Sequence, residues 1–410
     1  MDNFQTYLDQ YAELAIKVGL NVQEGQHVLI QAPIHSADFV RKVVEKAYLA
    51  GAKTVYVDYN DEELTLLKYR LAPQEGLKEF PMWRANGYVE MAKNNTALLQ
   101  IYAPNPTLLK DIDPEKVAIV NKTAATAMKE FNDYTITGKI SWSIISVPSP
   151  EWAAQIFPGE SKEESVKKLW EAIFTVTRVM EEDPIHKWQS HIENLTRKVD
   201  YLNEKKYKKL HYQSEGTNLT IELPNEHQWL CAQFTNKAGT SYVPNMPTEE
   251  VFTVPVKYGV NGVVTSKKPL NYNGVLIDNF SLTFQDGKVV DFQAETGYET
   301  LKNLLTIDEN ICYLGEVALV PHNSPISNSN LIFYNTLFDE NASCHIALGA
   351  GLPMCIKDGS DMTKEELEKI GLNDSINHVD FMIGSHDLAI DGEKEDGSIE
   401  PVFRNGNWAF

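Results

Sequence analysis

At 410 residues the chain exceeds what one hydrophobic core usually organises, so two domains are expected. Hydrophobic residues make up 43% and charged residues 23%, ordinary for a globular protein, and the formal net charge is −20. Such an acidic surface repels nucleic acid and anionic membranes, and no lysine- and arginine-rich block interrupts it, which argues against nucleic-acid binding.

The opening "MDNFQTYLDQYAELAIKVGL" has neither the basic start nor the apolar core of a signal peptide. Phe4, Leu8, Tyr11, Leu14, Ala15 and Val18 recur at helical spacing and predict an amphipathic helix. No run of 18 apolar residues occurs, so no membrane span is expected. Cys231, Cys312, Cys344 and Cys355 form no Cys-x-x-Cys pair, a pattern suited to a reducing cytoplasm rather than a disulfide framework.

Strand and helix then alternate. "HVLIQA" (27–32) reads as a buried strand, "ADFVRKVVEKAYLA" (37–50) as an amphipathic helix ended by Gly51, and "TVYVDY" (54–59) as the next strand. This βαβ order predicts a mostly parallel sheet. "ALLQIYA" (97–103) adds a strand, and 161–180 reads as a helix capped by Ser161. His27 and His35 flank the first strand as turn or surface residues, and no glycine-rich phosphate-binding motif follows it. The charged stretch beginning "EEDPIHKWQSHIENL" is expected to carry the chain into a second domain. The fold class expected is α/β for residues 1–185, serving as scaffold and as a dimerisation or access element. A mixed, largely antiparallel α+β domain over 186–410 is expected to carry the chemistry. In this second half Asp286-Gly287 between two alternating runs predicts a hairpin, and Asn261-Gly262 and Asn273-Gly274 predict further turns.

Four segments there carry carboxylates and imidazoles. In "NMPTEEVFT" Glu249 and Glu250 are adjacent, so on a strand at most one faces a given site; alone they read as solvated. In "YLGEVALVP" Glu316 interrupts an apolar strand, which leaves burial with a partner or metal, an outward position on an edge strand, or a lysine pair. In "DENASCHIALG" a helix is expected to start near Asn341 and Ser343, with Glu340 just before it and His345 in its first turns; alone, His345 reads as a core residue. In "HVDFMIG" His378 and Asp380 share one strand face, as a metal pair or as a hydrogen-bonded couple. Together these oxygen and imidazole donors suit two divalent ions such as zinc, cobalt or manganese, and such a site is hydrolytic in character.

These segments, with "GLNVQEGQHVLIQAP", "AYLAGAKTVYVDY", "SPISNSNLIFYNTLFDENASCHIALG" and "PVFRNGNWAF", make the chain resemble the M29 family of metallo-aminopeptidases, of the aminopeptidase T, aminopeptidase S and PepS type. The resemblance covers nearly the whole chain. It implies a cytoplasmic homodimeric exopeptidase that removes N-terminal residues from peptides with broad preference, through water activated by two divalent metals. By motif it implies Glu250, Glu316, Glu340, His345, His378 and Asp380 as metal ligands. Glu316 or Glu249 is then the carboxylate that shuttles the proton.

One departure stands out. Family members usually carry a tyrosine seven residues after the histidine, where this chain has Leu352. Leucine cannot stabilise an oxyanion, and losing one such donor commonly costs about a hundredfold or more in rate. Tyr334 or a water is the alternative donor. The competing reading is therefore a metal-retaining peptide-binding protein with weakened turnover, and a third is a two-metal amidase with a non-peptide substrate.

Overall fold

The computed structural model describes residues 3–103, 105, 108–272 and 275–410. The chain forms two compact units, Met1–Ser190 with Gln233–Pro247, and His191–Ala232 with Thr248–Phe410.

The first unit is built on a parallel four-stranded sheet, in the order Thr54–Asn60, His27–Pro33, Ala97–Tyr102, Trp142–Ser146. The βαβ pattern is realised as expected, with helix Ala37–Leu49 between the first two strands in sequence. The amphipathic start forms helix Phe4–Leu14 and continues as a π-helical stretch to Leu20. Its Tyr11 is fully buried, stacks on Phe39 and donates its hydroxyl to the Ser146 carbonyl at 3.0 Å, so an aromatic anchors the helix to the end of the last strand. Helix Lys162–Val176 starts where its cap was expected, with the Ser161 hydroxyl accepting the Glu164 N–H.

The segment Gln233–Pro247 belongs to this unit: Asn245 bridges to Ile144, and the Asn236 amide donates to Ser141 Oγ at 2.9 Å. The charged stretch near residue 185 forms helix Pro184–Lys205.

The second unit holds two antiparallel sheets. One has nine strands, among them the hairpin Val275–Gln285 and Lys288–Thr296. Asp286 and Gly287 both adopt positive φ, 49° and 83°, which is the two-residue turn that Asp-Gly predicts. Asn261-Gly262 is not a turn. Both residues lie inside strand Val260–Thr265, where Gly262 has φ 121° and a Cβ there would sit 2.1 Å from the Asn218 carbonyl oxygen. This glycine serves close approach of the neighbouring strand rather than a reversal. The expected turn at Asn273-Gly274 lies outside the described residues.

The other sheet has five strands, in the order His378–Met382, His345–Gly349, Leu314–Leu319, Val251–Thr253, Leu230–Cys231. Side-chain alternation gives it two unlike faces. Val317, Ile346 and Phe381 are aligned across three strands, and Phe381 packs on Phe280 of the nine-stranded sheet at 5.4 Å. The opposite face carries the row Glu316, Ala347, Asp380. No helix among the described residues is long and apolar enough to cross a membrane.

Candidate metal centre

The carboxylate-bearing face is centred on the middle strand. His345, Ala347 and Gly349 alternate along it, so one imidazole is followed by two positions with almost no side chain. Glu316 and Asp380 flank Ala347, and His378 lies opposite Gly349. His345 is thus on a strand, which corrects the expected helix. The helical stretch, Thr336–Asp339 followed by the 3-10 turn Glu340–Ala342, ends before His345, and the short run from His345 to Gly349 is buried throughout and paired on both sides. Five residues ending at a glycine with φ 101° are too few for a stable helix and suit an interior strand.

The open alternatives for the carboxylates close as well. Glu249 and Glu250 are only 4% and 8% exposed rather than solvated. Glu316 is 5% exposed on an interior strand, with imidazole rather than lysine beside it.

Two groups of donors converge. Glu250, Glu316 and His345 bring ligand atoms within 4.8 Å of one another, and so do Glu316, His378 and Asp380, with Glu316 common to both. His345 Nε2 lies 3.1 Å from Glu250 Oε2. His378 Nε2 lies 2.8 Å from Glu316 Oε2 and 3.2 Å from Asp380 Oδ1. Glu340 falls outside both close groups, yet its carboxylate stands within electrostatic reach of Asp380, Glu250, His345 and Glu316. Glu249 is in neither close group, and its Oε2 is 3.6 Å from His191 Nε2.

The histidine tautomers test whether a cation fits. Each Nδ1 faces a carbonyl oxygen, of Ser343 at 3.2 Å for His345 and of Ala350 at 2.7 Å for His378. A carbonyl only accepts, so Nδ1 carries the proton in both rings. A neutral imidazole then aims its Nε2 lone pair at carboxylate oxygens, acceptor against acceptor. Only a proton or a metal ion between them makes the contact favourable, and backbone-oriented imidazoles with carboxylates are a common metal-ligand arrangement.

The electrostatics of the metal-free cluster express the same need. Burial opposes the imidazolium of His345, but the Glu250 carboxylate outweighs it, with help from Asp380 and Glu316, and holds the group up to about 10. His378 is likewise raised against its burial by Asp380 and Glu316. Burial pushes Glu316 and Glu340 up, and neighbouring carboxylates add to the rise. Asp380 is held low by the two histidines despite its burial. These are carboxylates crowded without enough cation.

The family follows from comparison with known proteins. A family model described as "Thermophilic metalloprotease (M29)" matches residues 4–408. The chain belongs to the M29 metalloprotease family. It is therefore a peptide hydrolase that uses divalent metal, as the resemblance of its motifs implied. M29 relatives include Aminopeptidase 2 of Geobacillus stearothermophilus, 54% identical over all of this chain and 99% of that one. Aminopeptidase AmpS of Bacillus subtilis is 52% identical over the whole of both chains. The solved structure of wild-type AmpT from Thermus thermophilus superposes with a TM-score of 0.94 at 41% identity, covering 99% of this chain and 100% of that one.

Further residues stand around this donor cluster. Asp339, beside Glu340, is not a donor to it: its buried carboxylate accepts the N–H groups of Phe333 and Asn335, and burial lifts it to about 6. The loop it holds includes Tyr334, whose φ is 53°. Asn341 and His191 contact the Glu249 segment, and neither has a motif spacing that would single it out. Leu352 is half-buried at the entry to the short helix Pro353–Cys355.

Proposed function

We propose that the protein is a cytoplasmic metallo-aminopeptidase of broad specificity that removes N-terminal residues from peptides at a centre of two divalent metal ions. The observation carrying this reading is the pair of donor groups that share Glu316. Glu250, Glu316, Glu340, His345, His378 and Asp380 are the residues that would hold the ions. Charge supports the number. The four carboxylates among them, when ionised, balance two divalent cations once both imidazoles are neutral. One ion would leave two buried charges uncompensated, at several kcal/mol each. The donors are oxygen and imidazole, which suits zinc, cobalt or manganese.

Bound there, such ions supply Lewis-acid polarisation of the scissile carbonyl and acidify a water molecule. The chain's own residues do the rest. Glu316 is placed between both donor groups, which favours a ligand role and leaves Glu249 as the proton carrier. It is buried, next in sequence to Glu250, with His191 Nε2 3.6 Å from its Oε2. Its task is to accept the proton of the attacking water and pass it to the leaving amine. In this reading residues 186–410 form the catalytic domain, and residues 1–185 a scaffold that contributes to access and dimerisation.

Self-association as a homodimer has its own support. Helix Glu62–Leu71 buries only Tyr69 and leaves Leu64 and Leu71 65% and 76% exposed, and Trp83 is 78% exposed. Cytoplasmic location is supported by four scattered thiols without a pairing motif.

A panel of aminoacyl chromogenic substrates, free and N-acetylated, assayed on metal-free protein and after loading with zinc, cobalt or manganese, tests the reading. Hydrolysis confined to free-amine substrates and dependent on metal is expected. Fully loaded protein that releases no amino acid from any of them would reject it. Leu352 favours the second reading, a peptide-binding member with weakened turnover, which the same panel would reveal as binding without release.

A further inference from the structure

Asn341 is completely buried beside the centre, and every polar atom of its side chain is used. Its Oδ1 accepts the backbone N–H of Glu249 at 2.7 Å. Its Nδ2 donates to the Leu337 carbonyl at 3.1 Å and to Glu340 Oε1 at 3.3 Å. The orientation of the amide is fixed twice over, because an N–H can only donate and a carbonyl can only accept. The two segments it joins are far apart in sequence. One carries Glu249 and Glu250, and the other carries Glu340. His191 Nε2 stands 2.8 Å from the Thr248 carbonyl, so the first segment is held at two consecutive residues.

We propose that Asn341 is a positioning residue that couples the Glu249–Glu250 segment to Glu340, so that the two assemble around metal as one unit. This rests on the metal-centre reading above. The chemistry needs such a link. Glu250 immediately precedes a three-residue strand, Val251–Thr253, and Glu340 stands where the four-residue helix Thr336–Asp339 passes into the 3-10 turn Glu340–Ala342, so both carboxylates sit at the ends of short elements. A buried amide that donates to one segment and accepts from the other fixes their separation, as residues behind metal ligands commonly do. Its N–H also orients the Glu340 carboxylate, which it meets at Oε1.

Zinc affinity by competition with a chromogenic chelator, and the visible absorption of the cobalt-loaded protein, test this in Asn341→Ala. Zinc affinity about tenfold to a hundredfold weaker, with an altered cobalt spectrum, is expected. Wild-type affinity and an unchanged spectrum would overturn the proposal, whatever the variant's thermal stability. Asn341→Leu, close to asparagine in shape, replaces it if the alanine variant does not fold. A measurement on the wild type is independent of both. In a zinc titration followed by amide hydrogen exchange, peptides containing 248–250 and 337–342 are expected to gain protection over the same zinc range. Separate midpoints would contradict the coupling. His378→Ala is the control: if it binds zinc like the wild type, the metal-centre reading fails, whereas its loss with Asn341→Ala unaffected rejects only the coupling.

Discussion

His378 Nδ1 lies 2.7 Å from the Ala350 carbonyl oxygen while its Nε2 lies 2.8 Å from Glu316 Oε2. The backbone contact fixes the tautomer, and the carboxylate contact then demands a cation at Nε2. Removing the ring removes both effects. His378→Ala is expected to lose at least a hundredfold in affinity for one of its ions, since even residues behind the ligands cost tenfold or more. Elemental analysis after dialysis should show substoichiometric metal; full occupancy would remove His378 from the ligand set.

The same geometry links metal to protons. In the metal-free protein His345 holds its proton up to about 10, against an ordinary value of 6.5. Metal needs that lone pair, so binding at pH 7 is expected to release protons and to strengthen as pH rises between these values. Calorimetry in two buffers of different ionisation enthalpy would count them, and a count of zero at pH 7 would contradict the assignment. The sign for stability is opposite. A raised folded-state value gives the metal-free protein stabilisation that is complete below 6.5 and lost as pH climbs through 10, so its melting temperature should fall over that range.

Glu249 and Glu250 are neighbours for which different tasks are proposed, and isosteric variants separate them. Glu249→Gln should keep its metal and lose about a hundredfold or more in kcat, the usual contribution of a positioned proton carrier. Glu250→Gln should lose metal as well. If Glu249→Gln turns over at the wild-type rate, another group moves the proton.

Leu352→Tyr introduces a phenol where this chain has an apolar side chain at the entry to helix Pro353–Cys355. A rise of about tenfold or more in kcat is expected if an oxyanion donor is lacking. An unchanged rate would show that the phenol is dispensable here.

Leu64→Asp with Leu71→Asp tests the exposed helix face. Each leucine contributes about 1.5–3 kcal/mol when buried, so the pair should weaken self-association by about a hundredfold or more. Sedimentation velocity reads this directly, and a wild-type distribution for the double variant would place any dimer contact elsewhere.

Much of this fold is written in local pattern. Alternation and turn chemistry located the βαβ unit and the Asp286-Gly287 hairpin, because those signals act over a few residues. Asn261-Gly262 misled, because the need for glycine there comes from Asn218 on the adjacent strand. His345 misled as well. Small residues around a histidine resemble a helix start, and only pairing on both sides makes a strand of five buried residues.

By itself the sequence determined the family, and it named the candidate donors and the four segments that carry them. Residue identity sets chemistry, and motif spacing survives without coordinates. Tertiary structure alone decided that Glu316 is shared by both donor groups, that Glu250 stands in one of them while Glu249 lies near His191, and that Asn341 ties two of the segments together. Spacing reports only which side of one element a residue occupies. Convergence of distant segments depends on the order in which strands pair, and that order is fixed by burying the apolar face of the sheet opposite the carboxylates.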